Sequence, residues 1–251
     1  MKLLLPDSFD DIILEDYQKF KKLDSTLVNY LDLVFSLFTK IDIEDVVNVP
    51  EKDYNEILNH IYNALQQQGE FKRLVNIDSI ELGIIPDFNK ITAGEYTDLV
   101  TYSSKEKDGY NPQLNRLIAV MFRPIKIKSY LFGLYKRKVK DNNYQGTEKH
   151  LHLINKLPMS LVMGSLVLFF DFVEKIRKSY PKVYGGGTSE GAVALRYFEE
   201  WGFYASLYEI VNGNYFELKK LEEENIHRVH GFLSIRNHNN KLKAELMKPK
   251  K

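Results

Sequence analysis

Two stretches of this 251-residue chain open helices in the same way, and that echo constrains the fold more than any other feature. The first carries Pro6-Asp7, Phe9, Ile12 and Tyr17, and the second Pro86-Asp87, Phe88, Ile91 and Tyr96. The Phe-to-Ile and Ile-to-Tyr spacings agree, and Ser8 is the extra residue of the first copy. In the second copy Thr92-Ala93-Gly94-Glu95 fits a capping box, in which hydroxyl and carboxylate satisfy reciprocal backbone donors. Ile91 and Tyr96 then have the spacing of a hydrophobic staple. In the first copy the cap position falls on Ile13, a poor cap. The copies therefore share apolar packing rather than capping hydrogen bonds.

The echo continues in order. Val34, Leu37, Phe38 and Ile41 recur as Ile118, Met121, Phe122 and Ile125, each set expected on one helix face. Pro50 with Tyr54, Leu58 and Ile61 recurs as Pro158 with Val162, Leu166 and Phe169, a proline at a helix start followed by an apolar stripe. Three matches in one order predict a duplicated helical module.

The fold class expected is mainly α with a small β element (α+β): two pseudo-repeated helical modules plus a C-terminal helical unit. The first module covers residues 1–70. The second covers 71–184, opening with a β-hairpin of Phe71–Ile77 and Ile80–Ile85 around the turn Asp78-Ser79 and carrying an insertion at 126–156. Gly185-Gly186-Gly187 marks a hinge, and the C-terminal unit spans 188–251. There Ala194, Phe198, Trp201, Ala205 and Tyr208 predict one helix face ended at Gly213, and Ile226, Val229 and Leu233 stripe a later helix.

Charge bounds the partners. Lys and Arg total 35 against 34 Asp and Glu, a formal +1, so no global pull toward nucleic acid or membrane follows. The absence of cysteine removes disulfides, thiolate nucleophiles and cysteine metal sites, and fits a reducing cytosol. The start Met1-Lys2-Leu3-Leu4-Leu5 is interrupted by Pro6-Asp7, too short for a secretory h-region. The most apolar run, Leu161 to Phe170, falls short of a membrane span and reads as a core helix.

No catalytic, metal or cofactor site is expected. The glycine triplet lacks the Gly-Lys-Ser/Thr end of a phosphate loop. His150 and His152 are spaced to share a strand face, and His227 and His230 a helix face, but no carboxylate or cysteine is placed to complete a metal shell, so they read as surface or core histidines. Glu199-Glu200 and Glu222-Glu223-Glu224 read as solvated helix faces rather than a hydrolase pair. The one local charge feature is the insertion, where Lys126, Lys128, Lys136, Arg137, Lys138 and Lys140 interleave with Tyr130, Phe132 and Tyr135. Such a pattern guards a solvent-facing strand edge, meets an acidic protein, or tracks phosphates while rings stack on bases. The near-zero net charge argues against nucleic acid.

Several stretches resemble proteins encoded among the tail genes of tailed bacteriophages, described as tail assembly chaperones or virion morphogenesis proteins. They are Leu5-Pro6-Asp7-Ser8-Phe9-Asp10-Asp11-Ile12, Ile91-Thr92-Ala93-Gly94-Glu95-Tyr96, Phe122-Arg123-Pro124-Ile125, Pro158-Met159 and Trp201-Gly202-Phe203-Tyr204. The resemblance implies a helical, non-enzymatic factor with no cofactor that binds tail or tape-measure components in the cytoplasm of the infected host. Residues expected to meet a partner are Lys126, Lys128, Tyr130, Lys136, Arg137, Lys138, Lys140 and Trp201, with Ile57, Leu58 and Ile61 as a second apolar face. Two alternatives stand beside it: a structural virion protein, such as a neck or connector ring subunit or packaged cargo, which would self-associate, and a nucleic-acid-binding protein acting through the insertion.

Overall fold

A computed structural model of the chain describes residues 4–103, 111–130, 135–140, 148–184 and 200–247, with 126–130 and 135–140 described as backbone alone. The fold is mainly α with a small antiparallel sheet, the class expected. Helices α1 (Leu14–Lys22), α2 (Tyr30–Thr39) and α3 (Glu51–Ala64) precede strands β1 (Leu74–Ile77) and β2 (Ile80–Ile84). Next come α4 (Ala93–Tyr102), α5 (Leu114–Met121), β3 (Phe122–Tyr130) and β4 (Tyr135–Lys140). The chain continues through α6 (Leu151–Ile154), α7 (Met159–Ser179), α8 (Pro181–Tyr184), α9 (Phe203–Ile210), α10 (Tyr215–Glu223) and α11 (Ile226–Leu246).

The chain divides into two compact units, each assembled from separated segments: Met1–Ile85 with Lys105–Leu166, and Pro86–Ser104 with Val167–Lys251. These are not the three consecutive modules expected, with breaks at 70 and at 185–187. The reason lies in how each helix opening is satisfied. In unit 1 the Leu14 N–H donates to the Leu157 carbonyl and the Met159 N–H to the Ile12 carbonyl, both at 2.8 Å. In unit 2 the Ala93 N–H donates to the Glu224 carbonyl at 2.8 Å, and the Ile226 N–H to the Ile91 carbonyl at 3.1 Å. Each clasp gives two helix N-termini a partner for an N–H that the helix itself cannot satisfy. The clasped residues Ile12, Leu14, Leu157 and Met159 in one unit, and Ile91, Ala93 and Ile226 in the other, are buried.

The openings at Ile12 and Ile91 thus share one hydrogen-bond arrangement. Its distant partners are the starts of α7 and α11, both 21 residues long. The arrangement therefore matches α7 with α11, where the sequence matched α3 with α7. Thr92 makes the capping box foreseen: its Oγ1 accepts from the Glu95 N–H at 3.2 Å, and Glu95 Oε2 accepts from the Thr92 N–H at 2.7 Å. Ile13 caps α1 with no side-chain hydrogen bond, also as read. The expected helix face Ile118, Met121, Phe122 and Ile125 is corrected, because α5 stops at Met121 and Phe122 begins β3. Pro124 cannot continue a helix and drives the residue before it into extended backbone.

Unit 1 holds the sheet, a meander in the order β1-β2-β3-β4 with every pair antiparallel. The β1–β2 hairpin is the one expected, and Asp78 and Ser79 take φ of 48° and 66°, both left-handed, as a type I′ turn requires. Glycine takes that conformation without the Cβ penalty of about 1–2 kcal/mol, at some cost in chain entropy. Ser79→Gly should therefore raise stability by about 0.5–1 kcal/mol. An unchanged urea midpoint would show an unstrained turn.

Phe35 of α2 stacks on Tyr54 of α3 with ring centroids 5.0 Å apart, and Tyr54 donates to Asp32 at 2.7 Å. Burial and that carboxylate push the Tyr54 phenol up to about 12. Gly164 of α7 lets Phe71 lie against the helix, since a Cβ there would stand 2.3 Å from the ring. The unit 2 core is built from Ile91, Leu99, Phe169, Ile176, Leu207, Ile226 and Val229, all buried.

Candidate functional site

The basic residues singled out in the insertion lie on the β3–β4 hairpin: Lys126, Lys128 and Tyr130 on β3, and Lys136, Arg137, Lys138 and Lys140 on β4. Lys128 is in register with Arg137 and Tyr130 with Tyr135, and β4 is an edge strand of the sheet. The side chains of these residues, and Phe132 altogether, lie outside the described residues. Trp201 is 51% exposed. It does not continue into the Ala205–Tyr208 face, because Gly202 takes φ 54° and ψ −136° and breaks the helix there. Ala194 and Phe198 lie outside the described residues. Leu58 and Ile61 are core residues at 6% and 0% exposure, which removes them as a presented face.

Unit 1 instead exposes a different set of apolar side chains. Val28 is fully exposed, and Leu27 and Leu31 are nearly half so, around the start of α2. The 3-10 helix Ile43–Asn48, which packs against α2, exposes Val47 at 84%. Further along α2, Val34, Phe35 and Phe38 carry the stripe that Leu31 begins into the core.

In unit 2 two histidines on one face of α11 meet tyrosines from three other segments. His230 is wholly buried and stacks on Phe203 with centroids 5.0 Å apart and planes 14° apart. Its Nδ1 is 2.9 Å from the Ile226 carbonyl, which can only accept, so Nδ1 carries the proton. Nε2 then accepts from the Tyr184 hydroxyl at 2.6 Å, and the Tyr184 oxygen accepts from Tyr96 at 2.9 Å. Burial drives the His230 pKa down to about 4, with His227 adding to the fall and the Ile226 bond opposing it. His227 is held by the Tyr180 hydroxyl at 2.8 Å and by Asn89 at 3.0 Å. All four ring nitrogens are engaged in structural hydrogen bonds. His150 and His152 sit on a 3-10 turn and on α6, not on the strand expected. Glu222 is half-buried beside Gly94 rather than solvated, and burial, with Asp98 nearby, raises its pKa.

Above the Tyr96–Tyr184 pair lies a cavity of about 780 Å³ wholly within unit 2. Its floor is apolar: Tyr96, Phe169, Phe203 and Leu233, all buried. Arg177, Lys182, Arg236 and Lys241 line it, and Glu209 is the one carboxylate among the described lining residues. Burial raises the Tyr96 and Tyr184 phenols, while the Arg177 charge pulls each the other way, so its guanidinium lies near them. Sequence reasoning missed this cavity. Its walls come from α4, α7, α8, α9 and α11, and only the stripes on α7 and α11 leave a local pattern. Among protein-family models, curated proteins and solved structures, nothing matches the chain. Among the described residues no helix is long and apolar enough to cross a membrane.

Proposed function

We propose that this chain is a non-enzymatic bacteriophage assembly factor of the tail assembly chaperone kind. In this role it binds a tail or tape-measure component in the cytoplasm of the infected host and leaves when assembly is complete. The observation that carries the reading is the apolar set at the start of α2. Leu27, Val28 and Leu31 are large, adjacent and exposed, while α2 already has a full complement of buried residues. Exposed apolar side chains grouped in this way mark protein interaction surfaces. The resemblance of the helix openings to phage tail proteins supplies the class of partner.

A second reading, a structural virion subunit, draws on α11. Phe232, Ile235, Asn239, Leu242 and Leu246 alternate at three and four residues on an exposed stripe, distinct from the buried Ile226, Val229 and Leu233. That spacing suits pairing with a second copy, with Asn239 at a core position to set register.

The two separate by mass spectrometry of purified particles beside the lysate that yielded them. A chaperone is abundant in lysate, co-purifies there with a tail protein and is absent from particles. Val28→Asp with Leu31→Glu should weaken that co-purification about tenfold or more, the loss expected when a central apolar contact is removed, at unchanged thermal midpoint. Retention in particles at fixed stoichiometry overturns the chaperone reading in favour of the structural one.

A further inference from the structure

The α11 face that is buried at its start does not end where its neighbours end. Ile226, Val229, His230 and Leu233 pack into unit 2. The same face continues as Asn237, Asn240 and Ala244, flanked by Arg236 and Lys241, and lines open space. Across that space α7 turns Phe169, Phe170, Val173 and Arg177 inward, again at helical spacing. The two helices thus form a groove within the cavity, whose other walls are α4, α8 and α9. At 1.5 Å per residue, the α11 stretch 233–244 runs about 16 Å, or roughly three turns.

We infer that this groove is the docking site for an acidic amphipathic helix of a partner protein. The apolar surface left open by Phe170 and Val173 accepts the apolar stripe, and Arg177, Lys182, Arg236 and Lys241 receive flanking Asp or Glu side chains. The occupant follows from the walls. An amphipathic helix laid in an apolar groove uses anchors at i, i+3/i+4 and i+7, which about three turns supply. Among the described lining residues, four cations against one carboxylate select an acidic visitor and repel a basic one. Among the described residues none of the four cations is held in an ion pair, so their charge is open to a visitor. The inference rests on the assembly-factor reading for the biological source of that helix.

The test uses the full chain and a fluorescein-labelled synthetic helical peptide of about 15 residues, long enough for three to four turns. It carries leucines at i, i+4, i+7 and i+11 with glutamates on both flanks, and a control peptide has lysines in their place. Fluorescence anisotropy should show the acidic peptide binding at least about tenfold more tightly than the basic one. Raising the salt should weaken it. Arg177→Glu with Arg236→Glu should weaken it about tenfold or more with the far-ultraviolet spectrum unchanged.

Equal binding of the two peptides, or binding indifferent to salt and to charge reversal, overturns the assignment. Binding of phosphatidylglycerol vesicles in place of the peptide does so too, since it would give the groove to a membrane surface. The underlying reading fails separately. A wild-type chain that brings down tail proteins but ignores the peptide loses the groove alone, and one that binds the peptide but no virion component loses the assembly role alone.

Discussion

Lowering the pH from 7 to 4 should remove about 3 kcal/mol of stability through one side chain, His230. Its pKa falls from 6.5 to about 4 in the folded protein, chiefly through burial. Between those values the unfolded chain binds a proton that the folded chain refuses, so stability rises with pH. The contribution is complete above pH 6.5 and is lost as pH falls toward 4. The structure shows what resists the proton. Nδ1 already donates to Ile226, so a second proton on Nε2 would face the Tyr184 hydroxyl, which would have to surrender its donor role and turn away. Tyr96 and Tyr180 also face the ring, along with Phe203 and the neighbouring His227, and none of them carries a negative charge at this pH. Carboxylates elsewhere titrate in the same range, so the measurement is a difference. Urea unfolding of the wild type and of His230→Leu at pH 7, 5.5 and 4 should give curves whose gap closes by about 3 kcal/mol on acidification. Parallel curves would mean that water reaches the ring.

Local features were legible because they are written in neighbouring residues. Asp78-Ser79 between two apolar runs is a turn with a mechanism, and both residues take the left-handed backbone it demands. Thr92 and Glu95 close their capping box for the same reason. The echo of Ile12 and Ile91 was visible too, but its meaning was not. The hydrogen bonds that the two openings share involve Leu157 and Glu224, more than a hundred residues along the chain in each case, and no local spacing encodes such a closure. That closure also makes the units discontinuous, which no reading of successive segments can deliver. Where the helical pattern misled, backbone chemistry decided. Pro124 turned an apolar period of 3.6 into a strand, and Gly202 cut one expected face in two.

The candidate site was less legible than the fold. His227 and His230 are alike in sequence, yet one is pinned between Tyr180 and Asn89 while the other is sealed under Phe203. Leu58 and Val28 are both apolar residues of helical neighbourhoods, and only the packed structure separates a core residue from an exposed one. The groove is harder still. Its cations, Arg177, Lys182, Arg236 and Lys241, are scattered in sequence and form no charged run. The basic residues of the β3–β4 hairpin, by contrast, fall close together in sequence, from Lys126 to Lys140.

The pair Phe169 and Phe170 shows how fold and binding divide between adjacent residues. Their rings are 5.3 Å apart, yet Phe169 is 1% exposed and Phe170 45%. Phe169→Ala deletes a fully buried ring from the floor of the groove and should cost about 3–5 kcal/mol, from lost burial and the cavity left behind. Phe170→Ala removes a half-exposed ring at the rim and should cost no more than about 1 kcal/mol. Its larger effect should be on docking. A rim aromatic that closes over a bound helix contributes contact area and excludes water from the charge pairs beside it, so the acidic peptide should bind several-fold more weakly to Phe170→Ala at nearly unchanged stability. Urea unfolding and peptide anisotropy on the two variants read both quantities. If Phe170→Ala unfolds as readily as Phe169→Ala, the ring is part of the core and the groove is shallower than drawn. If it binds the peptide as the wild type does, the visiting helix does not pass over α7, and the α11 wall alone would have to hold it.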